Sequence, residues 1–306
     1  MSAVLGYGLA AVGRPAYINV GHAADFAEGR SVGDLRQRTH TLLDATWEAG
    51  LRYFDAARSY GLAEVFLGEW LAAHPDRRGQ LLIGSKWGYR YVGEWRMDAA
   101  QHEIKDHSLT TFEQQWPETL AALGGPPDLY FIHSVTPDSP ALRDAALLKR
   151  LAQLGERGVT VGLSVSGPQQ AQILQAALAL GGPFGAAQAT WNVLERSAED
   201  TLSEAKAAGW RVVIKEALAN GRLATPAPPA LRDLAEQHAS TPDALALAAA
   251  LARPWADVVL SGASTRAQLE SNLSAAQLIE ADFSALETLR EPAETYWQTR
   301  SQLRWN

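Results

Sequence analysis

Leu51-Arg-Tyr-Phe-Asp-Ala-Ala-Arg-Ser-Tyr-Gly61 is the stretch whose reading decides the fold. Residues 52–54 read as a short buried strand that ends at a carboxylate, Asp55. A turn through Ala57, Arg58 and Ser59 then delivers the Tyr60 phenol against Gly61. A strand-end carboxylate followed by a phenol can set both groups at the rim of a barrel. Taken alone, the fragment is described more simply as a half-buried strand capped by Asp with a packed Tyr. The choice rests on whether the rest of the chain supplies partners for these two groups.

Outward from this stretch, short apolar or β-branched runs alternate with longer helical patterns. Strands are expected at residues 4–9, 52–55, 81–86, 129–133, 160–164, 186–189, 211–215 and 258–261. Apolar spacings of three and four between them predict helices over residues 35–49, 63–73, 110–123, 142–157, 168–180, 198–208, 229–238, 242–252 and 265–277. Ser166-Gly-Pro and Ser240-Thr-Pro read as helix starts with proline in the first turn, and Gly50, Gly158 and Gly209 as helix ends. Alternating strands and helices predict parallel βαβ units, and a count of eight predicts closure into an α/β (β/α)8 TIM barrel. An open doubly wound sheet is the competing fold, but Gly6-Tyr-Gly8 lacks the remaining spacing of a phosphate loop. Without a linker or low-complexity segment, residues 1–306 read as a single domain. A long loop at residues 87–107 and a tail at residues 290–306, both rich in aromatics, are expected over the barrel mouth, where the aromatics either pack over the rim or wall the substrate, with Trp87 and Tyr89 as the substrate contacts.

Composition narrows the class. Hydrophobic residues make up 47% and charged residues 20% of the chain, enough for a sizeable core. A net charge of −7 with no dominant Lys/Arg cluster argues against a nucleic-acid groove. The chain has no cysteine, which removes disulfides, thiolate metal sites and cysteine nucleophiles. No signal-like start is visible, and the longest charge-free stretch, residues 159–194, is broken by Gly181-Gly182-Pro183. A cytoplasmic protein off the membrane is the expectation. His102 and His107 do not make a metal motif, because five residues on a helix separate them by about 140°; a solvated loop is expected there.

Polar groups recur where the strands end: Asp55, Lys86, His133, Ser164, Gln188 and Lys215. Buried charge without compensation is costly, so a run of such groups aimed at one mouth is hard to explain as packing.

Phe54-Asp-Ala-Ala-Arg-Ser-Tyr-Gly61, Ile83-Gly-Ser-Lys86, Asp128-Leu-Tyr-Phe-Ile-His133, Gln188-Ala-Thr-Trp-Asn192, Leu218-Ala-Asn-Gly221 and residues 261–272 together resemble the aldo-keto reductases over nearly the whole chain. The resemblance implies a barrel that reduces aldehydes or ketones, or oxidises the matching alcohols, sugars included, with a nicotinamide cofactor. Tyr60 would be the proton donor, Lys86 and Asp55 its supports, and His133 a neutral residue orienting the carbonyl. A free phenol is a weak acid, and an adjacent ammonium is expected to lower its pKa. Cofactor contacts are implied at Gly8, Leu9, Ser164, Gln188, Lys215, Leu218, Gly221, Gly262, Ser264, Gln268 and Asn272, with NADP(H) favoured over NAD(H).

The departures from the family pattern are specific. Val165 follows Ser164 where Asn is usual, Lys215 stands where an aromatic commonly stacks on the nicotinamide, and Gly262 and Gln268 occupy positions that often carry Lys or Arg. Only Arg266 nearby could supply charge there. The family's N-terminal barrel-bottom hairpin is expected to be reduced or absent. Two other readings share these residues: a Schiff-base lyase using Lys86 or Lys215, and a non-catalytic cofactor-sensing subunit.

Overall fold

The structure, a computed structural model, describes residues 3–26 and 29–305. Among the described residues the strands are, in chain order, β1 (Val4–Gly8), β2 (Tyr53–Asp55), β3 (Leu82–Trp87), β4 (Tyr89–Tyr91), β5 (Glu103–Lys105), β6 (Leu129–Val135), β7 (Thr160–Val165), β8 (Ala186–Thr190), β9 (Arg211–Lys215) and β10 (Val258–Ser261). All but β4 and β5 are parallel and close into a barrel in the order β1-β10-β9-β8-β7-β6-β3-β2. The helices are α1 (Val32–Glu48), α2 (Ala63–Ala73), α3 (Leu109–Leu123), α4 (Ala145–Gly155), α5 (Gln170–Leu180), α6 (Glu199–Ala207), α7 (Pro229–Gln237), α8 (Pro242–Leu251), α9 (Arg266–Leu273) and α10 (Ala293–Ser301). The (β/α)8 expectation holds, with strand ends shifted by a residue or two where neighbouring ladders lengthen or shorten them.

Period-two alternation explains why polar groups gather above an apolar plug. Tyr53, Leu129, Phe131, Ala186, Val213 and Val258 form a buried cluster inside the barrel. Two residues further along the same strands stand Asp55, His133, Gln188 and Lys215, so the same inward face turns from apolar to polar toward the strand ends. The interior is therefore a packed floor beneath a polar rim, as side-chain layering in such barrels requires.

Local sequence sets the helix limits. Asp144 caps α4 through the N–H groups of Ala146 and Leu147 at 3.0 and 3.1 Å, so this helix starts later than its apolar pattern. Thr241 caps α8 ahead of Pro242. Ser166 does not cap α5, which starts at Gln170 without a side-chain cap. Its hydroxyl instead donates to Ser134 Oγ at 3.2 Å and accepts from Lys215 Nζ at 3.2 Å.

Residues 87–107 are not a plain loop, because β4 and β5 pair antiparallel, with Tyr91 opposite Glu103. His102 and His107 are 6% and 2% exposed, which corrects the expectation of a solvated segment. The tail likewise folds as α10, with Tyr296 and Trp297 buried against a second apolar cluster. No helix among the described residues is long and apolar enough to cross a membrane.

Helices α2 and α3 meet at Gly68, where a Cβ would lie 1.9 Å from the backbone oxygen of Ala122. Backbone cannot yield as a side-chain tip can, so Gly68→Ala should cost about 1–3 kcal/mol. Urea unfolding of the two proteins reads this as a lower midpoint at unchanged slope.

Candidate active site

The site begins with Asp55. Strand pairing sets it level with Gly84, where a Cβ would come 2.9 Å from Asp55 Oδ2 and 2.4 Å from the Tyr53 hydroxyl. Glycine there leaves room for the carboxylate. Lys86, two residues along β3, donates to Asp55 Oδ1 and, at 2.8 Å, to the Ala56 carbonyl. Gln188 Nε2 donates to Asp55 Oδ2 at 2.9 Å from across the barrel, and the Tyr53 hydroxyl adds a longer bond at 3.4 Å. The two side chains of the ion pair are 0% and 3% exposed, so its surroundings are protein throughout.

Tyr60 is held over this pair by its turn. Gly61 has φ +59°, and the segment docks on Gly13 so closely that a Cβ there would sit 2.2 Å from the Tyr60 carbonyl oxygen. Leu62 N–H closes the contact by donating to the Gly13 carbonyl at 2.8 Å. Lys86 Nζ lies 4.8 Å from the Tyr60 ring centroid, and His133 meets the same ring edge-on at 5.4 Å.

Burial pushes the Tyr60 phenol well above its ordinary pKa, Asp55 and Glu103 push it further, and Arg14 pulls it down. The phenol thus keeps its proton, contrary to the lowering expected from an adjacent ammonium, because burial and the nearby carboxylates outweigh the pull of the cations. Burial, with Lys86 and Lys215 next in weight, holds His133 well below the usual histidine range, so its ring is neutral. Ser59 Oγ lies 3.3 Å from His133 Nδ1, leaving Nε2 to face a ligand. His107 supports the strand from behind, with Nε2 2.7 Å from the His133 carbonyl and Nδ1 2.7 Å from Ser139 Oγ. Burial lowers the His107 pKa to about 4, so it too is neutral.

A single cavity lies over these groups and extends away from them. Asp55, Tyr60, His133, Gln188 and Lys215 line one end, and Gly262, Gln268 and Asn272 the other, with Gly8, Leu218 and Gly221 between the strand ends. Lys86, Ser164 and Leu9 are buried beneath the lining rather than in it. Ser264 is buried as well, donating to Asp25 Oδ2 at 2.6 Å. Tyr89 stands against His133, ring centroids 5.0 Å apart. Trp87 does not line the cavity: it is fully buried, packed against Phe112 and His107, which corrects its expected role as a substrate wall. Among the described residues no group of His, Cys, Asp and Glu could hold a metal ion.

Several lining residues escaped the sequence reading. Arg14 donates to the Ser59 carbonyl and to Glu103 Oε1, both at 2.7 Å, and lies 4.5 Å from the centroid of Trp305, which also lines the cavity. Arg300 grips Glu216 with Nε donating to both carboxylate oxygens, at 3.1 and 3.0 Å. Asn220 binds the Ile18 carbonyl at 2.9 Å and ties residues 17–20 over the cavity. Arg14, Arg300 and Asn220 make contacts with residues 45 to 202 positions away in sequence, and their only local signal is polarity beside glycine or aromatics.

A sequence model of the aldo/keto reductase family matches residues 26–291. The chain belongs to the aldo/keto reductase family. It is 25% identical over 288 residues to aldo-keto reductase str7 of Strobilurus tenacellus, covering 83% of this chain and 81% of that one. A shorter match, 27% over 118 residues and about a third of each chain, is to pyridoxal 4-dehydrogenase of Microbacterium luteolum. Among solved structures, aldo-keto reductase AKR11C1 of Bacillus halodurans in its holo form superposes with a TM-score of 0.67 at 21% identity, covering 97% of this chain and 91% of that one. The protein is thus an NAD(P)-dependent oxidoreductase of this family on an eight-stranded barrel.

Two predictions follow from the buried charges of this reductase. Lys86→Met should destabilise the fold by about 3–5 kcal/mol by stranding Asp55, and adding Asp55→Asn should restore most of it; chemical denaturation of the single and double variants measures both. The second concerns Glu216, whose carboxyl burial alone would raise but which Arg300 and Lys215 hold down at about 2, from an ordinary 4.5. As the pH falls from 4.5 to about 2, the unfolded chain takes up a proton there that the folded chain does not, so stability drops. Over that window the wild type should lose stability more steeply than Glu216→Gln, as read by urea midpoints at successive pH values.

Proposed function

We propose that this reductase transfers hydride between a nicotinamide cofactor and an aldehyde, ketone or matching alcohol, with Tyr60 as the proton donor and acceptor. The observation that carries the reading is the half-buried Tyr60 phenol set between Lys86 and His133 in the wall of the cavity. In the reductive direction Tyr60 gives its proton to the carbonyl oxygen. Lys86 stabilises the phenolate that this leaves, and Asp55 with the Ala56 carbonyl holds Lys86 in place. His133, taking a hydrogen bond at Nδ1 from Ser59, donates through Nε2–H to the same oxygen and orients it. The Schiff-base reading loses Lys86, which is only 1% exposed and doubly bonded by Asp55 and Ala56.

The residues fit a nicotinamide cofactor. Ser164 Oγ and Gln188 Oε1, level with each other on β7 and β8, are buried without a partner among the described residues. A carboxamide offers them what they lack. Val165 packs into the apolar core, so it contributes nothing to that group. When bound, the nicotinamide supplies or accepts the hydride. Leu218, Gly221 and the unpartnered Asn220 Oδ1 would face the middle of the cofactor, with Gly262, Gln268 and Asn272 at its adenosine end.

Preference for NADP(H) is part of the proposal through the family resemblance; Arg38, whose guanidinium donates to the Ser264 carbonyl at 3.1 Å, is the nearby cation, beside a Ser264 hydroxyl that binds the Asp25 carboxylate. The expected Arg266 is instead exposed and paired with Glu270. The absence of cysteine accords with work in the cytoplasm.

Titration of tryptophan fluorescence with NADPH and NADH, followed by an aldehyde, ketone and alcohol panel, tests the reading. Tyr60→Phe should bind cofactor as the wild type does and lose activity by about 10²–10⁴-fold. Full turnover in that variant would overturn the assignment. Arg38→Leu should weaken NADPH binding about tenfold and NADH binding far less.

A further inference from the structure

Among the described residues, charges at the catalytic end of the cavity come in matched pairs, with one exception. Lys86 is matched by Asp55, Arg14 by Glu103 and Arg300 by Glu216. Lys215 is the odd cation. Its Nζ donates to Ser166 Oγ and Thr190 Oγ1, each at 3.2 Å, and both are neutral hydroxyls. Glu216 beside it is taken by the guanidinium fork of Arg300. Burial has already lowered the Lys215 ammonium to about 8, against the pull of Glu216.

Its position says what the charge faces. Lys215 lines the cavity, and its partner Ser166 donates to Ser134, the residue after His133, which lines the same wall. The ammonium therefore lies beside the proton-transfer residues and not at the far end, where Gln268 and Asn272 lie. An ammonium in a partly desolvated pocket, with donors to spare and no carboxylate of its own, is a site for an anionic oxygen.

We propose that Lys215 recognises a carboxylate carried by the carbonyl substrate, so that the substrates of this reductase are aldehydo or keto acids and the corresponding hydroxy acids. The inference rests on the cavity being the hydride-transfer site. It departs from the placement of Lys215 among cofactor contacts, at the position where an aromatic commonly stacks on the nicotinamide.

A series of ω-aldehydo acids of increasing chain length, each paired with its methyl ester, tests it with NADPH as cofactor. At the best length the wild type should prefer acid over ester by about tenfold or more in kcat/KM, chiefly through KM. Lys215→Met should bring that ratio to within about twofold, and Lys215→Arg should retain part of it. The NADPH dissociation constant, from tryptophan fluorescence, should change little in Lys215→Met. Equal use of acid and ester at every length would overturn the inference while leaving the reductase reading intact. Weakened NADPH binding with an unchanged acid-to-ester ratio would also overturn it and assign the charge to the cofactor. Binding of the acids to the NADPH complex of Tyr60→Phe reads the preference without turnover. Acids bound there in a Lys215-dependent way would uphold the anion site even if no carbonyl were reduced.

Discussion

The buried contact between Lys86 and Asp55 is the interaction on which the rest of the site depends. Neither charge is tolerable alone at nearly zero exposure. Together they need further hydrogen bonds, and the barrel provides them from Ala56, Gln188 and Tyr53. Those bonds bind β2 to β3 and reach across to β8, so charge at the rim is compensated by the barrel that carries it. Glycine at position 84 is part of the same arrangement, since any side chain there would enter the space of the carboxylate.

The pair also bears on the phenol above it. Burial decides the titration of Tyr60, and the Asp55 carboxylate adds to it. The resting protein therefore holds a proton ready to give. The change that makes giving it favourable is the negative charge that develops on the carbonyl oxygen, where Lys86 and His133 Nε2–H can act on it. A protonated donor in the resting state and stabilisation of the developing charge are compatible demands, and this geometry meets both.

Much of the fold was legible because two periods alternate plainly: period two in the strands and three-to-four in the helices. The rim residues were legible for the same reason, as Asp55, Lys86, His133, Gln188 and Lys215 all close a strand or nearly so. What escaped is what local pattern cannot encode. Arg14 reaches Glu103, and Arg300 reaches Glu216, across long stretches of sequence. The strand pair inside residues 87–107 contains too few residues for alternation to register. Trp87 was misread because a loop-flanking aromatic at a barrel mouth looks like a substrate wall, whereas its place at the end of β3 points it into the helix-facing core.

A single-turnover reaction with reduced cofactor carrying deuterium at both C4 positions tests the central claim most directly, by mass spectrometry of the alcohol formed from a carbonyl substrate. Direct hydride transfer at this barrel rim predicts one deuterium on the carbinol carbon of every product molecule, in water of ordinary isotopic composition. Product without the label, or cofactor that remains reduced in the presence of bound carbonyl, would contradict it.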